Sequence, residues 1–407
     1  MANRRRWVMR HHVVILGGSY AGIAVMRQLS KYPEIQVTLI DQHPYHYLQT
    51  EGYELISSNT SFEETIVSLP ALCANYENVT FKHRTVVSID VANNVILLDD
   101  GDLSYDTLVI ALGSVTKRFE CDTNVYNYSL GAKSLRGALK LNQFFQHQLY
   151  KRLESDKKAK ESFNIIVGGA GLSGVEIAAG MQYFFNRYYR SNALSCATLH
   201  IHLIVSRESV LNGMHPSIIK STTNRLKALR VILHTNSRIA SIHAHETVLT
   251  NGTKINFDFM IFAGGTMIAP CLKETKLSKT AKGQFEVDDY LRSVDDKNIY
   301  IVGDAAALKS KKGTPLPPTA QTAIQSGKLA AINILATLKN KKLKPSNLKL
   351  KGIAIALGGR YAVIDLKFIR IHGYLAYLIK KLIERCYKWP LWYSAIKGYK
   401  NIDSCDI

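Results

Sequence analysis

The stretch Val13-Val-Ile-Leu-Gly-Gly-Ser-Tyr-Ala-Gly22 decides how this chain is read. Four apolar residues run into a glycine turn, and a helical pattern continues from Ile23 to Leu29. The turn has G-x-G-x-x-G spacing with one departure: Ser19 stands where a second glycine lets the backbone approach a pyrophosphate. Serine is small enough to be tolerated there. Gly17 makes the turn, and Gly22 allows close helix–strand packing at an anion-binding helix N-terminus. A second strand, Ile35 to Ile40, ends at Asp41, at the spacing where a carboxylate accepts hydrogen bonds from an adenosine ribose. Taken alone, this imperfect fingerprint fits a structural turn as well as a nucleotide site.

A second copy changes the balance. Phe163-Asn-Ile-Ile-Val-Gly-Gly-Ala-Gly-Leu-Ser-Gly174 carries the complete pattern at Gly169, Gly171 and Gly174, between a strand and a helix running from Val175 to Phe184. Two fingerprints imply two dinucleotides. The next strand, Leu199 to Val205, ends in Val205-Ser206-Arg207, where an acid would repel a 2′-phosphate. Ser206 and Arg207 could welcome one, although Arg207 also reads as a solvated loop residue. Tyr105 to Gly113 is a buried-type strand ending in glycine, and Phe257 to Gly265 echoes it after the second unit. Asn298 to Ala306 then ends a strand in Gly303-Asp304, which can set one carboxylate against a polyol chain. The expected fold is α/β, with two Rossmann-like dinucleotide-binding domains.

This order of elements resembles the two-dinucleotide flavoproteins of the pyridine nucleotide–disulfide reductase superfamily, in which FAD takes the first site and NAD(P)H an inserted second one. The resemblance spans nearly the whole chain. It implies an FAD-binding domain in two parts, 11–125 and 266–338, around an NAD(P)H-binding domain at 126–265. Non-covalent FAD would be held by Gly17, Gly18, Ser19, Tyr20, Ala21, Gly22 and Asp41, and by Gly113, Gly303, Asp304, Ala320 and Gln321. NADH or NADPH would lie on Gly169, Gly171, Gly174, Glu176, Ser206, Arg207 and Gly264.

The finer resemblance is to type II NADH:quinone dehydrogenases, single-chain respiratory enzymes that pump no protons. Thr319-Ala320-Gln321-Thr322-Ala323-Ile324-Gln325 matches that family's A-Q-x-A-x-Q motif, where quinone meets the flavin. Glu176 matches its active-site glutamate, and Gly352 to Val363 resembles a segment reaching back toward the quinone, with Arg360 and Val363 at its end. Many members would carry Lys at 360; Arg keeps the charge but does not easily release a proton. The resemblance implies hydride transfer from NADH to flavin on one face and delivery of two electrons to quinone from the other. Glu176, Gln321 and Gln325 are the candidate catalytic residues. Glu176 also reads as compensation of a helix dipole, and the two glutamines as a surface pair at i, i+4.

Rival readings exist. A sulfide:quinone oxidoreductase needs cysteines on both sides of the flavin; Cys121 could supply one, but no cysteine lies between Cys271 and Cys386. No cysteine precedes Cys73, which disfavours a disulfide reductase. The six cysteines form no C-x-x-C, so neither a metal site nor a local redox disulfide is expected. A non-catalytic redox sensor, or a nucleic-acid-associated flavoprotein, would use the net charge of +20, yet aromatic–basic repeats are absent and no nucleic-acid partner is expected.

The charge is concentrated at one end. Residues 339–407 hold 15 Lys or Arg and 4 Asp or Glu. Lys339 to Lys351 reads as a basic linker. Beyond it Leu375, Leu378, Ile379, Leu382, Ile383, Cys386 and Tyr387 form an apolar helical stripe, with Lys380, Lys381, Glu384, Arg385 and Lys388 on the other face. Trp389 and Trp392 flank Pro390. The expectation is an interfacial helix followed by an aromatic anchor on an anionic membrane surface, with homodimer formation as the alternative. No apolar run reaches the ~20 residues of a membrane-spanning helix. The leader Met1 to Arg10 mimics a signal-peptide start but flows into a glycine-containing first strand. The expected location is peripheral, on the cytoplasmic face of the inner (cell) membrane.

Overall fold

Strands that are apolar on both faces need cover on both faces, and parallel sheets provide it. The structure, a computed structural model, describes residues 11–117, 129–154, 162–190, 198–243, 245–366 and 368–402. Its first sheet contains β1 (His11–Leu16), β2 (Ile35–Asp41), β3 (Val79–His83) and β4 (Thr107–Ile110). A late strand, Ile299–Ile301, joins its edge beside β4, and all pairs are parallel. Val13 to Leu16 are wholly buried in its centre. Helix α1 (Tyr20–Leu29) crosses from β1 to β2, while α2 (Gln49–Ile56) lies farther out. The chain leaves β1 toward β2 on one side and has β4 on the other, so the crevice outside the carboxyl end of β1 is a topological switch point.

The second sheet repeats the plan. Its strands are β5 (Ser129–Gly131), β6 (Phe163–Gly168), β7 (Leu199–Ile204), β8 (Ile232–His234) and β9 (Phe259–Phe262), in the parallel order β5-β9-β6-β7-β8. Helices α3 (Leu135–Glu154), α4 (Leu172–Phe185) and α5 (Pro216–Leu229) belong to this unit. Two crossings join the units, where Ser114–Thr116 pairs antiparallel with Thr266–Ile268. The expected boundary at 125/126 lies outside the described residues, as do the leader Met1 to Arg10, Cys121, Cys196 and Cys405.

After β10 (Ile299–Ile301), α6 (Ala320–Leu338) returns the chain to the first unit. The basic linker then runs back along α6 without regular structure, held by a row of side-chain amides. Asn333 exchanges two hydrogen bonds with the Lys344 backbone, Gln325 does the same with Lys349, and the Oε1 of Gln321 accepts from the Lys351 amide at 2.6 Å. A three-stranded antiparallel sheet follows: β11 (Ile353–Ala356), β12 (Ala362–Asp365) and β13 (Arg370–Gly373).

The final helix, α7 (Tyr374–Tyr399), departs from expectation twice. It continues through Pro390 instead of ending before it, because Leu391 is buried and the Trp392 indole donates to the Ile66 carbonyl, anchoring the second half on the first unit. Its charged face is also turned inward. Lys380 and Lys388 are buried, with Lys381 and Glu384 beside them, whereas Leu375, Leu378, Leu382 and Ile383 are exposed. Tyr387 leaves the outer stripe and meets His46 at 3.1 Å. The outward apolar face continues through Trp389, Tyr393 and Ile396. Among the described residues no helix is long and apolar enough to cross a membrane.

Candidate functional site

Both glycine turns place helix N-termini at the carboxyl ends of central strands, and the two match in detail. Gly17 donates to the Ile40 carbonyl at 2.8 Å, and Gly169 donates to that of Ile204 at 3.2 Å. A Cβ on Gly22 would stand 1.8 Å from the Gly17 carbonyl oxygen, and one on Gly174 equally close to that of Gly169. Only glycine permits either approach. Gly171 is different, since a Cβ there would meet open space, so local packing does not require glycine at that position. Neither Ser19 before α1 nor Gly171 before α4 offers a side-chain cap, while α6 opens on a Thr319–Thr322 capping box. Free first-turn N–H groups beside an open backbone suit a pyrophosphate.

Asp41 accepts from the amides of Gly18 at 2.7 Å and His43 at 2.8 Å, which fixes the carboxylate at the end of β2; burial raises its pKa and the two amides oppose the rise. The matched turns make Val205 the counterpart of Asp41, and Val205 is 1% exposed. The second unit therefore has no carboxylate for the Ala170 amide, and Ser206 and Arg207 are exposed beyond it. Around the first turn, Tyr20 and Ala21 are buried in α1, and a Cβ on Gly18 would press on Leu69. Gly113 and Gly303 take positive φ near +65° just past their strands, and Gly264 lies at the corresponding end of β9. Ala320 begins α6.

Asp304 has company that sequence reasoning missed. Ser114 donates to its Oδ2 at 2.5 Å and Lys133 lies 2.9 Å from the same oxygen. Ser114 follows Gly113 directly and could have been suspected; Lys133, between β5 and α3, carries no local signal. These donors can be exchanged for the hydroxyls of a sugar alcohol, so the residues present fit an FAD ribityl chain as the two turns fit its diphosphate.

Between the units lies a cavity of about 370 Å³, walled by α2, α4, the turn at Gly358 to Arg360, and α7. Tyr53, Glu54, Glu176, Arg360, Lys380 and Lys381 line it. The Oε1 of Glu176 accepts from the Ala356 amide at 2.7 Å and lies 3.5 Å from the Lys380 ammonium. Lys380 also contacts Glu384; Lys381 lies 2.6 Å from Glu54 and 3.1 Å from Glu384; Lys388 lies 2.5 Å from Glu51. Burial pushes the Glu176 carboxyl up to about 7, against the pull of Lys380 and the Ala356 N–H. Burial also acts to raise Glu384, but Lys380 and Lys381 together hold it below the usual carboxylate range. For Lys380 itself, the neighbouring carboxylates outweigh burial and keep the ammonium charged.

The structure thus brings together Glu176 and Arg360 but separates them from other candidates. Val363 is 1% exposed, because its hairpin partner Ile355 and the alternation of β12 turn it into the core of the second unit; it does not line the cavity. Gln321 and Gln325 do not line it either, since both amides are engaged with the linker backbone. The sequence sets the lysines and Glu384 of α7 on the face opposite the apolar stripe. Their i, i+4, i+8 row at 380, 384 and 388 is visible in sequence, but which side of the helix packs inward is not. Among the described residues no group of His, Cys, Asp or Glu could hold a metal ion.

The sequence pattern described as "Pyridine nucleotide-disulphide oxidoreductase" matches residues 11–327. The demethylphylloquinone reductase NdbB of Synechocystis is 27% identical over 398 residues, covering 94% of this chain and 93% of that protein. A type II NADH:quinone oxidoreductase of Staphylococcus saprophyticus is 23% identical over 382 residues, covering 92% and 94%. The solved structure of NDH2 from Plasmodium falciparum in complex with NADH superposes with a TM-score of 0.84 at 18% identity, over 96% of this chain and 97% of that one.

Proposed function

Because the chain belongs to the pyridine nucleotide-disulphide oxidoreductase family, we propose that it is an FAD-dependent NADH:quinone oxidoreductase that pumps no protons. The observation that carries this reading is the pair of uncapped, glycine-turned helix N-termini at the carboxyl ends of two parallel sheets, with a polar cavity between the units. The first turn, Asp41, Ser114 and Asp304 hold non-covalent FAD, which supplies the capacity to accept a hydride and hand on two electrons. The second turn, with Gly171, Ser206 and Arg207, holds NADH and admits NADPH because Val205 replaces the discriminating acid. The names of the relatives support a quinone as acceptor. The cavity bounded by Glu176 and Arg360 receives its ring, and Gln321 and Gln325 act on it indirectly, by fixing the linker that leads into β11.

In this reading the outward face of α7 rests on a membrane surface and the protein is peripheral, on the cytoplasmic side; the exposed Leu382, Ile383, Trp389 and Ile396 support the membrane contact, and the same face would also serve to join two copies. A sulfide-oxidising reading is not favoured: Cys386 is on the outer face of α7, and no cysteine lies between it and Cys271. The test is purification followed by steady-state oxidation of NADH and NADPH with a short-chain quinone, with sulfide as the control donor. A yellow protein that oxidises NADH and ignores sulfide is expected. A colourless protein that takes up no added FAD would contradict the reading.

A further inference from the structure

Arg225 lies on α5 in the second unit, half-buried and outside the lining of the cavity. A guanidinium drawn out of water needs partners for its donors, and here they are backbone and ring. Nε donates to the Leu357 carbonyl at 3.1 Å, and Nη2 donates to the Gly358 carbonyl at 3.0 Å. The guanidinium also stands 4.9 Å from the centre of the Tyr361 ring, a cation–π distance. Arg225 therefore holds the chain on both sides of Arg360, which does line the cavity.

The held segment is a turn whose own residues fix little. Gly358 and Gly359 both take positive φ, +74° and +63°, and the Leu357 amide closes the turn by donating to the Tyr361 carbonyl at 2.8 Å. Glycine has the freest backbone, so the aim of such a turn is set by what it packs against. One support is α4: a Cβ on Gly358 would stand 2.6 Å from the Ala179 carbonyl oxygen, and one on Gly359 2.4 Å from the Tyr183 ring. The other is Arg225. Two N–H groups of one planar fork on two successive carbonyls fix direction as well as distance, which a lysine ammonium does not reproduce.

We infer that Arg225 is a positioning residue for the acceptor: reaching from the nucleotide unit, it fixes the turn that carries Arg360 and so keeps that guanidinium on the cavity wall, where a quinone oxygen gathers negative charge. This rests on the quinone-reductase reading. Arg360 is exposed at the wall, whereas Lys381 and Lys388 are occupied by Glu54 and Glu51 at 2.6 and 2.5 Å.

The test follows reoxidation of the pre-reduced holoenzyme over a range of short-chain quinone concentrations. Arg225→Gln should raise the half-saturating concentration about tenfold and change the rate at saturation little. Arg225→Lys should recover part of the loss. Because Arg225 acts through Arg360, adding Arg225→Gln to Arg360→Gln should weaken saturation no further, whereas an unrelated structural defect would add to it. Trypsin gives a readout that needs no quinone: cleavage after Arg360 should be slow in the wild type and faster in Arg225→Gln, where the turn is released. If Arg225→Gln does not fold, Tyr361→Leu, which removes the ring beside the guanidinium, should shift half-saturation the same way by a smaller factor. Wild-type half-saturation in every folded variant of Arg225 and Tyr361, or losses that add fully in the double variant, would overturn the inference. Faster cleavage after Arg360 in Arg225→Gln, beside a wild-type protein that no quinone reoxidises, would keep the hold on the turn and remove the quinone reading instead.

Discussion

The Lys388 ammonium lies 2.5 Å from the Glu51 carboxylate, both almost wholly enclosed, and this contact ties the last helix of the chain to the first turn of α2 in its first dinucleotide unit. The apolar side of α7 thus faces out while its charges hold it down. Such a pair costs much to desolvate and little net stability is gained by forming it, but removing one partner strands the other.

Lys388→Met should therefore destabilise the protein by about 3–5 kcal/mol, whereas Lys388→Met with Glu51→Gln should recover a good part of that loss. Urea midpoints of the two variants measure this. Equal midpoints for the single and double variants would show that the two side chains do not interact.

Glu176 gives stability a specific pH dependence. Burial holds its carboxyl at about 7 in the folded state, above the ~4.3 of an unfolded chain. A group raised in this way stabilises most below the unfolded value, and the contribution is lost as pH rises through about 7. Glu176→Gln removes that slope. Thermal midpoints taken from about pH 5 to pH 8 should show the variant gaining on the wild type as pH rises; a constant gap would mean that Glu176 is already ionised across the range.

Val205→Asp should discriminate against NADPH. The matched turns place the new carboxylate where Asp41 stands in the first unit, within reach of the Ala170 amide and of a ribose 2′ position. The NADPH/NADH ratio of kcat/KM should fall roughly tenfold, the equivalent of about 1.4 kcal/mol. An unchanged ratio would show that the ribose binds elsewhere.

Membrane binding should depend on the outer face of α7 and little on its inner lysines. Leu382→Glu with Ile383→Glu should abolish co-sedimentation with phospholipid vesicles, while Lys381→Gln should leave it intact because that ammonium is occupied by Glu54 and Glu384. The salt-sensitive part should come from exposed cations such as Arg385, Lys397 and Lys400, at about 1 kcal/mol each on anionic lipid. Full sedimentation by the double glutamate variant would reassign the apolar face to contact between copies.

The two sheets were legible because glycine turns report backbone geometry directly: Gly22 and Gly174 are set by the carbonyls of Gly17 and Gly169, and Gly17 and Gly169 by their positive φ. Ser19 was readable for the same reason. The cavity was not. Lys380, Glu384 and Lys388 form a visible row, but an amphipathic helix states only that its faces differ; that the polar row packs against α2 and α4 is decided by partners far away in sequence. Gln321 and Gln325 were legible as a paired motif, yet their partners are backbone groups of a linker whose path sequence does not encode. Val363 followed its motif to the right hairpin and the wrong face, a distinction that one residue of register decides.

The central claim, that electrons pass from a nicotinamide through a flavin to a quinone, is tested most directly by separating the two half-reactions without oxygen. NADH added to the purified protein should bleach its yellow flavin, and a short-chain quinone added next should restore the colour with one quinol formed per flavin. Flavin that bleaches with NADH but is not reoxidised by quinone would contradict the account.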